Sequence, residues 1–273
     1  MKHFINIKDV PYKTLRKILS DTKKRKDLRK KLKTLEIDKD NPLKGILLIQ
    51  MFEKSSLRTR LSFYLAIRQL GGSALTLRPD ELHLSKGGES LSDTAKILST
   101  YGDIFVLRTD NEKKLNSFKK FLSIPLINGL SPNSHPAQIL SDIFTIEEIT
   151  KKNISRLNIC WIGDSNNVLN SLIEASIKFS FKLNIGCPKN YNPPSEMLRM
   201  IRQKSSKIKI FNNPKVAIKN ADVVLTDKVI SMNDKVNKKK KIKDFLNFRI
   251  NSKLMSLSNK AILLHCLPRG SEI

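Results

Sequence analysis

Phe52-Glu53-Lys54-Ser55-Ser56-Leu57-Arg58-Thr59-Arg60 follows the apolar run Gly45 to Met51 and opens a helix-like pattern carried by Leu61, Tyr64, Leu65 and Ile67. That order predicts a strand, a polar turn and a helix N-terminus. Unpaired backbone N–H groups and the positive end of the helix dipole converge at such a turn. With two hydroxyls and two guanidiniums added, it is well made for a phosphate. Arginine adds a planar fork that grips two anionic oxygens at once. Taken alone, the stretch also reads as an ordinary N-capped helix with Arg58 and Arg60 in solvent, so the rest of the chain decides.

Outward from this turn, short apolar runs recur at Gly45 to Met51, Ala74 to Leu77, Ile104 to Leu107, Ile124 to Ile127, Leu157 to Ile162, Leu183 to Ile185, Val223 to Thr226 and Ala261 to Leu264. Helix-length amphipathic segments separate most of them. The alternation predicts an α/β fold of two doubly wound parallel-sheet domains, with ligands gathered at the C-terminal ends of the strands. The polar stretch Glu147 to Asn153 suggests a boundary, giving domains 1–148 and 149–273. The low-complexity stretch Asn233 through Lys243 reads as a mobile loop.

The 51 Lys and Arg against 25 Asp and Glu leave a net charge of +26, which raises the question of a nucleic-acid or membrane partner. The charge is spread along the chain, densest at Lys23 to Lys33 and at Lys238 to Lys241, and both clusters read as solvated helix or loop faces. Few aromatics lie among these charges to stack bases, so a dedicated nucleic-acid role is not expected. No apolar run approaches the roughly 20 residues needed to cross a bilayer, and the first residues lack a signal-peptide core. The cytoplasm is therefore the expected compartment. Cys160, Cys187 and Cys266 are widely spaced, which suggests neither a disulfide framework nor a metal site. GxxxxGK[ST] is absent, and Gly163-Asp164-Ser165-Asn166 lacks the later glycines of a dinucleotide turn, which argues against ATP and NAD.

The turn at 52–60 is joined by Ser85-Lys86-Gly87-Gly88-Glu89-Ser90, by Arg108, and by His135-Pro136-Ala137-Gln138. Further on come Gly163-Asp164-Ser165-Asn166-Asn167-Val168, Thr226-Asp227 with Ser231-Met232, and His265-Cys266-Leu267-Pro268. In this order the motifs closely resemble those of the carbamoyltransferases, and within them the ornithine carbamoyltransferases, from roughly residue 40 to the end.

The resemblance implies transfer of a carbamoyl group from carbamoyl phosphate to the δ-amine of L-ornithine, in arginine biosynthesis, with the active site in the cleft between the two domains. No metal or organic cofactor is implied, because preorganised donors can serve both sites of negative charge. By likeness, Ser56, Leu57, Arg58 and Thr59 hold the phosphate, while Arg108, His135 and Gln138 surround the carbamoyl group. Asn167, Asp227, Ser231 and Met232 match positions that hold the amino-acid end of ornithine, and Cys266 and Leu267 those near the δ-amine, with Leu267-Pro268 cis. Arg58, Arg108, His135 and Cys266 are the implied catalytic residues. The family is built on trimers in which a neighbouring subunit completes the phosphate site, and His83 or Lys86 is the candidate for that role.

Several positions depart from the family pattern. Leu57 stands where a threonine is usual, Ala137 changes the histidine motif without removing a polar function, and Asn233 replaces a glycine. Arg269 directly follows Pro268, as in the aspartate carbamoyltransferases, which keeps aspartate or a modified ornithine open as the acceptor. Family members continue through a strand and a long C-terminal helix carrying another arginine of the phosphate site. This sequence stops at Ile273, so the expectation is either a fragment or a chain without that packing and that cation. An inactive basic binding protein on the same fold is the remaining alternative.

Overall fold

The run ahead of the Phe52 to Arg60 turn forms a central strand because its side chains are apolar on both faces, as a parallel strand between helix layers requires. In the computed structural model, residues 2–79, 88–230 and 237–270 are described. The elements of the first half are α1 (Tyr12–Leu28), β1 (Leu47–Phe52), α2 (Leu57–Gln69), β2 (Ser73–Leu77), α3 (Leu91–Tyr101), β3 (Ile104–Arg108), α4 (Glu112–Phe121) and β4 (Leu126–Leu130). The four strands are parallel in the order β2-β1-β3-β4.

Alternate residues of β1 and β3 face opposite layers. Ile49, Met51, Phe105 and Leu107 pack with Ala95 and Leu98 of α3 and with Leu115 and Phe118 of α4. Leu48 and Val106 turn the other way, onto Ile67 of α2. Each such side chain taken fully out of water stabilises the fold by about 1.5–3 kcal/mol, so the strand ends that carry polar residues rest on a firmly packed sheet.

The second half comprises α5 (Pro136–Thr150), β5 (Asn158–Ile162), α6 (Asn167–Phe179), β6 (Lys182–Gly186), α7 (Ser195–Lys204), β7 (Ile208–Phe211), α8 (Pro214–Ala217), β8 (Val223–Thr226), α9 (Lys238–Asp244), α10 (Ser252–Met255) and β9 (Ile262–His265). Its five strands are parallel in the order β7-β6-β5-β8-β9. Cys160, Ile162 and Val224 face a layer containing Ala217, Phe245, Phe248 and Leu254. Contacts divide the chain into two units, Met1–Ala137 and Gln138–Ile273, so α5 starts at the last two residues of the first unit and runs on in the second.

Three expectations change. The fourth strand forms over Leu126–Leu130 rather than Ile124 to Ile127, since Pro125 lacks the N–H a ladder needs. Strand β7 was not anticipated. Its Ile-Lys-Ile-Phe alternation leaves Lys209 exposed on a strand paired only with β6, the sort of edge that a lysine protects from further pairing. The stretch Asn233 through Lys243, expected as a loop, contains most of α9, which starts where the Asn237 side chain accepts from the backbone N–H of Lys240.

The Lys23 to Lys33 cluster keeps its lysines in solvent, while Arg25 pairs with Asp38 at 2.7 Å and with Asp40 at 2.9 Å. Lys241 is not solvated as expected but buried, for the reason given below. Among the described residues no helix is long and apolar enough to cross a membrane.

Candidate active site

The parallel register of β1 and β3 ends on the pair Phe52 and Arg108, so the turn before α2 and the guanidinium of Arg108 leave the sheet side by side. Arg108 Nη1 donates to Ser56 Oγ at 3.0 Å and to Thr59 Oγ1 at 3.3 Å. Ser56 occupies the N-cap position of α2 but makes no side-chain cap. Its hydroxyl is spent on the arginine instead, which leaves the first N–H groups of the helix for another acceptor.

Burial, and then the charge of Arg58, pull the pKa of Arg108 below its ordinary value, and Arg108 Nε is buried with no hydrogen-bond partner among the described residues. His135 is 8% exposed, and burial followed by the charge of Arg108 pushes its pKa down to about 3. Its ring is thus neutral at neutral pH, able to donate from one nitrogen and accept at the other. Leu57 is 64% exposed at the tip of the turn.

A residue the sequence did not single out fastens this turn. Glu53 donates its backbone N–H to the carbonyl of Arg108 at 3.0 Å. Its carboxylate accepts from the Thr109 hydroxyl and pairs with Lys114. The partners lie 56 and 61 residues away, and no short-range signal announces them.

In the second unit the strand ends carry acids rather than bases. Gly163 adopts φ +153, and a Cβ there would come within 3.3 Å of Thr226 Oγ1, so this exit from β5 favours glycine. Asn166 caps α6, accepting from the backbone N–H of Val168 at 3.0 Å and of Leu169 at 3.1 Å. Its amide also donates to Asp227 at 2.8 Å. Asn166, missed in the sequence, therefore orients Asp227, while the anticipated Asn167 is the first residue of α6. Asparagine ahead of an amphipathic run is a helix-start signal, and it could have flagged this position.

Asp164 pairs with Lys241 of α9 at 2.5 Å, with side chains 13% and 3% exposed. That contact explains why one lysine of four is buried, since a buried ammonium needs a carboxylate. Gln138 donates to Asp142 at 2.9 Å, one helical turn on. Burial, and to a smaller degree the charge of Asp227, push the Asp142 pKa up to about 7, while the Gln138 hydrogen bond opposes the rise.

Asp142, Trp161, Val168, Leu225, Thr226, Leu264, His265 and Cys266 line a small pocket. His265 Nδ1 lies 2.6 Å from the carbonyl of Cys266, and Cys266 is half-buried. The Leu267-Pro268 peptide is cis, as the resemblance implied, and Leu267 is 63% exposed. Cys160 and Cys187 are buried, and burial pushes the Cys187 thiol up to about 12, so both are inert at neutral pH.

The structure thus brings together Ser56, Thr59 and Arg108 directly, with Arg58 and His135 joined through charge, and links Asp227 to the turn before α6. His83, Lys86, Ser231 and Met232 lie outside the described residues.

A family model described as "Aspartate/ornithine carbamoyltransferase, carbamoyl-P binding domain" matches residues 2–148, and its companion "Asp/Orn binding domain" matches residues 155–273. The chain belongs to the aspartate/ornithine carbamoyltransferase family. Within that carbamoyltransferase family, an ornithine carbamoyltransferase of Rhizorhabdus wittichii is 37% identical over 275 residues, covering 100% of this chain and 88% of the relative. The crystal structure of the anabolic ornithine carbamoyltransferase of Campylobacter jejuni matches with a TM-score of 0.87 and 37% identity, covering 100% of this chain and 89% of that one. The ornithine carbamoyltransferase of Pyrococcus furiosus matches with a TM-score of 0.91 and 32% identity, over 99% and 87% of the two chains.

Proposed function

We propose that the chain transfers the carbamoyl group of carbamoyl phosphate to the δ-amine of L-ornithine, giving L-citrulline and phosphate, as a step of arginine biosynthesis. The observation that carries the proposal is the grip of Arg108 on Ser56 and Thr59 at the uncapped start of α2. Hydroxyls, helix N–H groups and two guanidiniums converge there, a donor set suited to an anion.

In this reading Ser56, Leu57, Arg58 and Thr59 hold the phosphate, Leu57 through its backbone only. Arg108, neutral His135 and Gln138 surround the carbamoyl group. Asp227 takes the α-ammonium of ornithine, Asn167 its carboxylate, and Ser231 and Met232 the neighbouring positions. Cys266 and Leu267 face the δ-amine. The amine nitrogen attacks the carbonyl carbon as a C–N bond forms. The negative charge that grows on the carbonyl oxygen meets donors already in place. The C–O bond to phosphate then breaks, and the phosphate leaves onto the turn at 56–59 as the dianion HPO4²⁻, carrying the proton that the amine nitrogen gives up. A histidine kept neutral suits this step, because it hydrogen-bonds the oxygen without first giving up a proton.

Gln138 supports a finer assignment. One N–H of its Nε2 is committed to Asp142, and in this reading its carbonyl oxygen accepts from the carbamoyl NH2. The same reading takes residues 1–148 and 149–273 as the two functional domains and a homotrimer, or a multiple of trimers, as the assembly, with His83 or Lys86 reaching the neighbouring site. It sets the enzyme in the cytoplasm, with no cofactor and no nucleic-acid partner. A second acceptor, aspartate, is favoured by one feature, the exposed Arg269 directly after Pro268.

Citrulline formation from carbamoyl phosphate and ornithine tests the proposal, with aspartate as the parallel acceptor and Arg58→Ala as control. Citrulline lost in the control supports it. Carbamoylaspartate in its place moves the assignment to the aspartate branch, and no product with either acceptor overturns it.

A further inference from the structure

The anion site of the first unit has a mechanical problem that its ligand residues do not solve. Burial first, and the like charge of Arg58 second, hold the pKa of Arg108 below its ordinary value, so the site gathers two cations. The register of β1 with β3 ends at Phe52 and Arg108, and Arg58 lies further on, in the first turn of α2. Beyond that point the two exits are joined by side chains. Glu53 takes the hydroxyl of Thr109, one residue past Arg108, and the ammonium of Lys114 in α4. Its backbone N–H meets the Arg108 carbonyl at 3.0 Å. The Glu53 side chain is 12% exposed and that of Lys114 24%, so solvent screens the pair little. The neighbouring Lys54 and Asp110 pair is 2.9 Å apart but 35% and 46% exposed, where an ion pair contributes little.

We propose that Glu53 is the positioning residue of the phosphate cradle, holding the Ser56 to Thr59 turn at a fixed distance from Arg108 through Thr109 and Lys114. This rests on the assignment of Ser56, Thr59 and Arg108 to carbamoyl phosphate. The sign of the effect separates the role from simple electrostatics. A carboxylate near an anion site repels the anion, so on charge alone its removal tightens phosphate binding. As a brace, its removal lets the turn and the arginine drift apart, and small misplacements of this kind are costly.

The experiment uses the full chain with Glu53→Ala, Glu53→Gln and Thr109→Val. Affinity for inorganic phosphate and for carbamoyl phosphate is measured by calorimetry, alongside KM for both substrates. The expected result is a loss of phosphate and carbamoyl-phosphate affinity of about tenfold or more in Glu53→Ala, with the KM for ornithine within about twofold of the parent. Glu53→Gln, which keeps the shape and a hydrogen bond to Thr109, lies between the two. Thr109→Val is neutral and nearly isosteric, loses affinity in the same direction, and carries the test if Glu53→Ala does not fold. Unchanged or tighter phosphate binding in these variants overturns the proposal, as does an equal rise of both KM values. A parent that binds phosphate yet makes no citrulline counts against the functional assignment alone, and the affinity ratio between parent and variants still decides the brace.

Discussion

At the strand ends of the first unit, Arg108 stands beside Arg58 with a buried Nε that no described residue accepts from. At the strand ends of the second, Asp164 has Lys241 and Asp227 has the Asn166 amide, while in α5 Asp142 has Gln138. Both units are parallel sheets with packed helices, and each puts polar turns at the C-terminal ends of its own strands. The difference lies in how much of each turn's charge is answered within the protein. A site that gathers guanidiniums and a buried Arg108 Nε suits a strongly charged anionic ligand. One whose carboxylates are already oriented fits a small zwitterion, which needs placement more than neutralisation. On this account carbamoyl phosphate belongs to the first unit and the amino acid to the second.

The comparison is broken most severely by removing the cation that nothing else replaces. Arg108→Met lowers kcat/KM by roughly 10²–10³-fold, and the loss shows in carbamoyl-phosphate affinity when that substrate is titrated alone. Asp227→Asn keeps the shape and the Asn166 contact but removes the charge. It lowers kcat/KM for ornithine by on the order of 10-fold to 100-fold and leaves carbamoyl-phosphate binding as in the parent, which a two-substrate kinetic matrix separates. Lys241→Met leaves Asp164 charged and uncompensated, at a cost of about 3–5 kcal/mol in unfolding free energy. Asp164→Asn in the same background recovers part of that loss in urea titrations.

The smallest effect concerns pH, and the two units respond with opposite sign. Asp142 has a folded pKa raised to about 7, so its stabilising contribution is complete below its unfolded pKa of about 4 and is lost as the pH rises through about 7. His135 has a folded pKa depressed to about 3, so burying its neutral ring costs stability as the pH falls below its unfolded value of about 6.5. Relative to the parent, Asp142→Asn should gain several degrees in Tm between about pH 5 and pH 8, on the order of 3–6 °C. A thermal melt series across that range checks the sign.

Most of the architecture was legible because eight of the strands are apolar runs, and a strand buried on both faces shows itself by composition alone. Strand β7 was not, since Lys209 interrupts a four-residue edge that pairs on one side only. Helix α9 was hidden by its own composition. Four consecutive lysines read as solvent until Asp164, 77 residues earlier, supplies the partner that buries one of them. The residues proposed to meet the ligands stand in recognisable motifs, because helix starts and strand ends demand particular residue types at fixed spacing. The partners of the residues that hold them, Glu53, Lys114 and Asp142, were not legible, and Asn166 carried only a helix-start signal. Glu53 meets Lys114 across a sheet, Asn166 meets Asp227 across a sheet, and Asp142 owes its pKa to burial that only the fold creates.

The most direct test of the central claim is a one-pot competition, in which the full chain receives labelled carbamoyl phosphate with ornithine and aspartate at equal concentration. The account predicts citrulline as the dominant product, with Asp227→Asn eroding that preference while the phosphate affinity of the first unit stays unchanged. Carbamoylaspartate as the dominant product, or a preference for ornithine untouched by Asp227→Asn, would contradict the assignment of the amino acid to the acidic strand ends of the second unit.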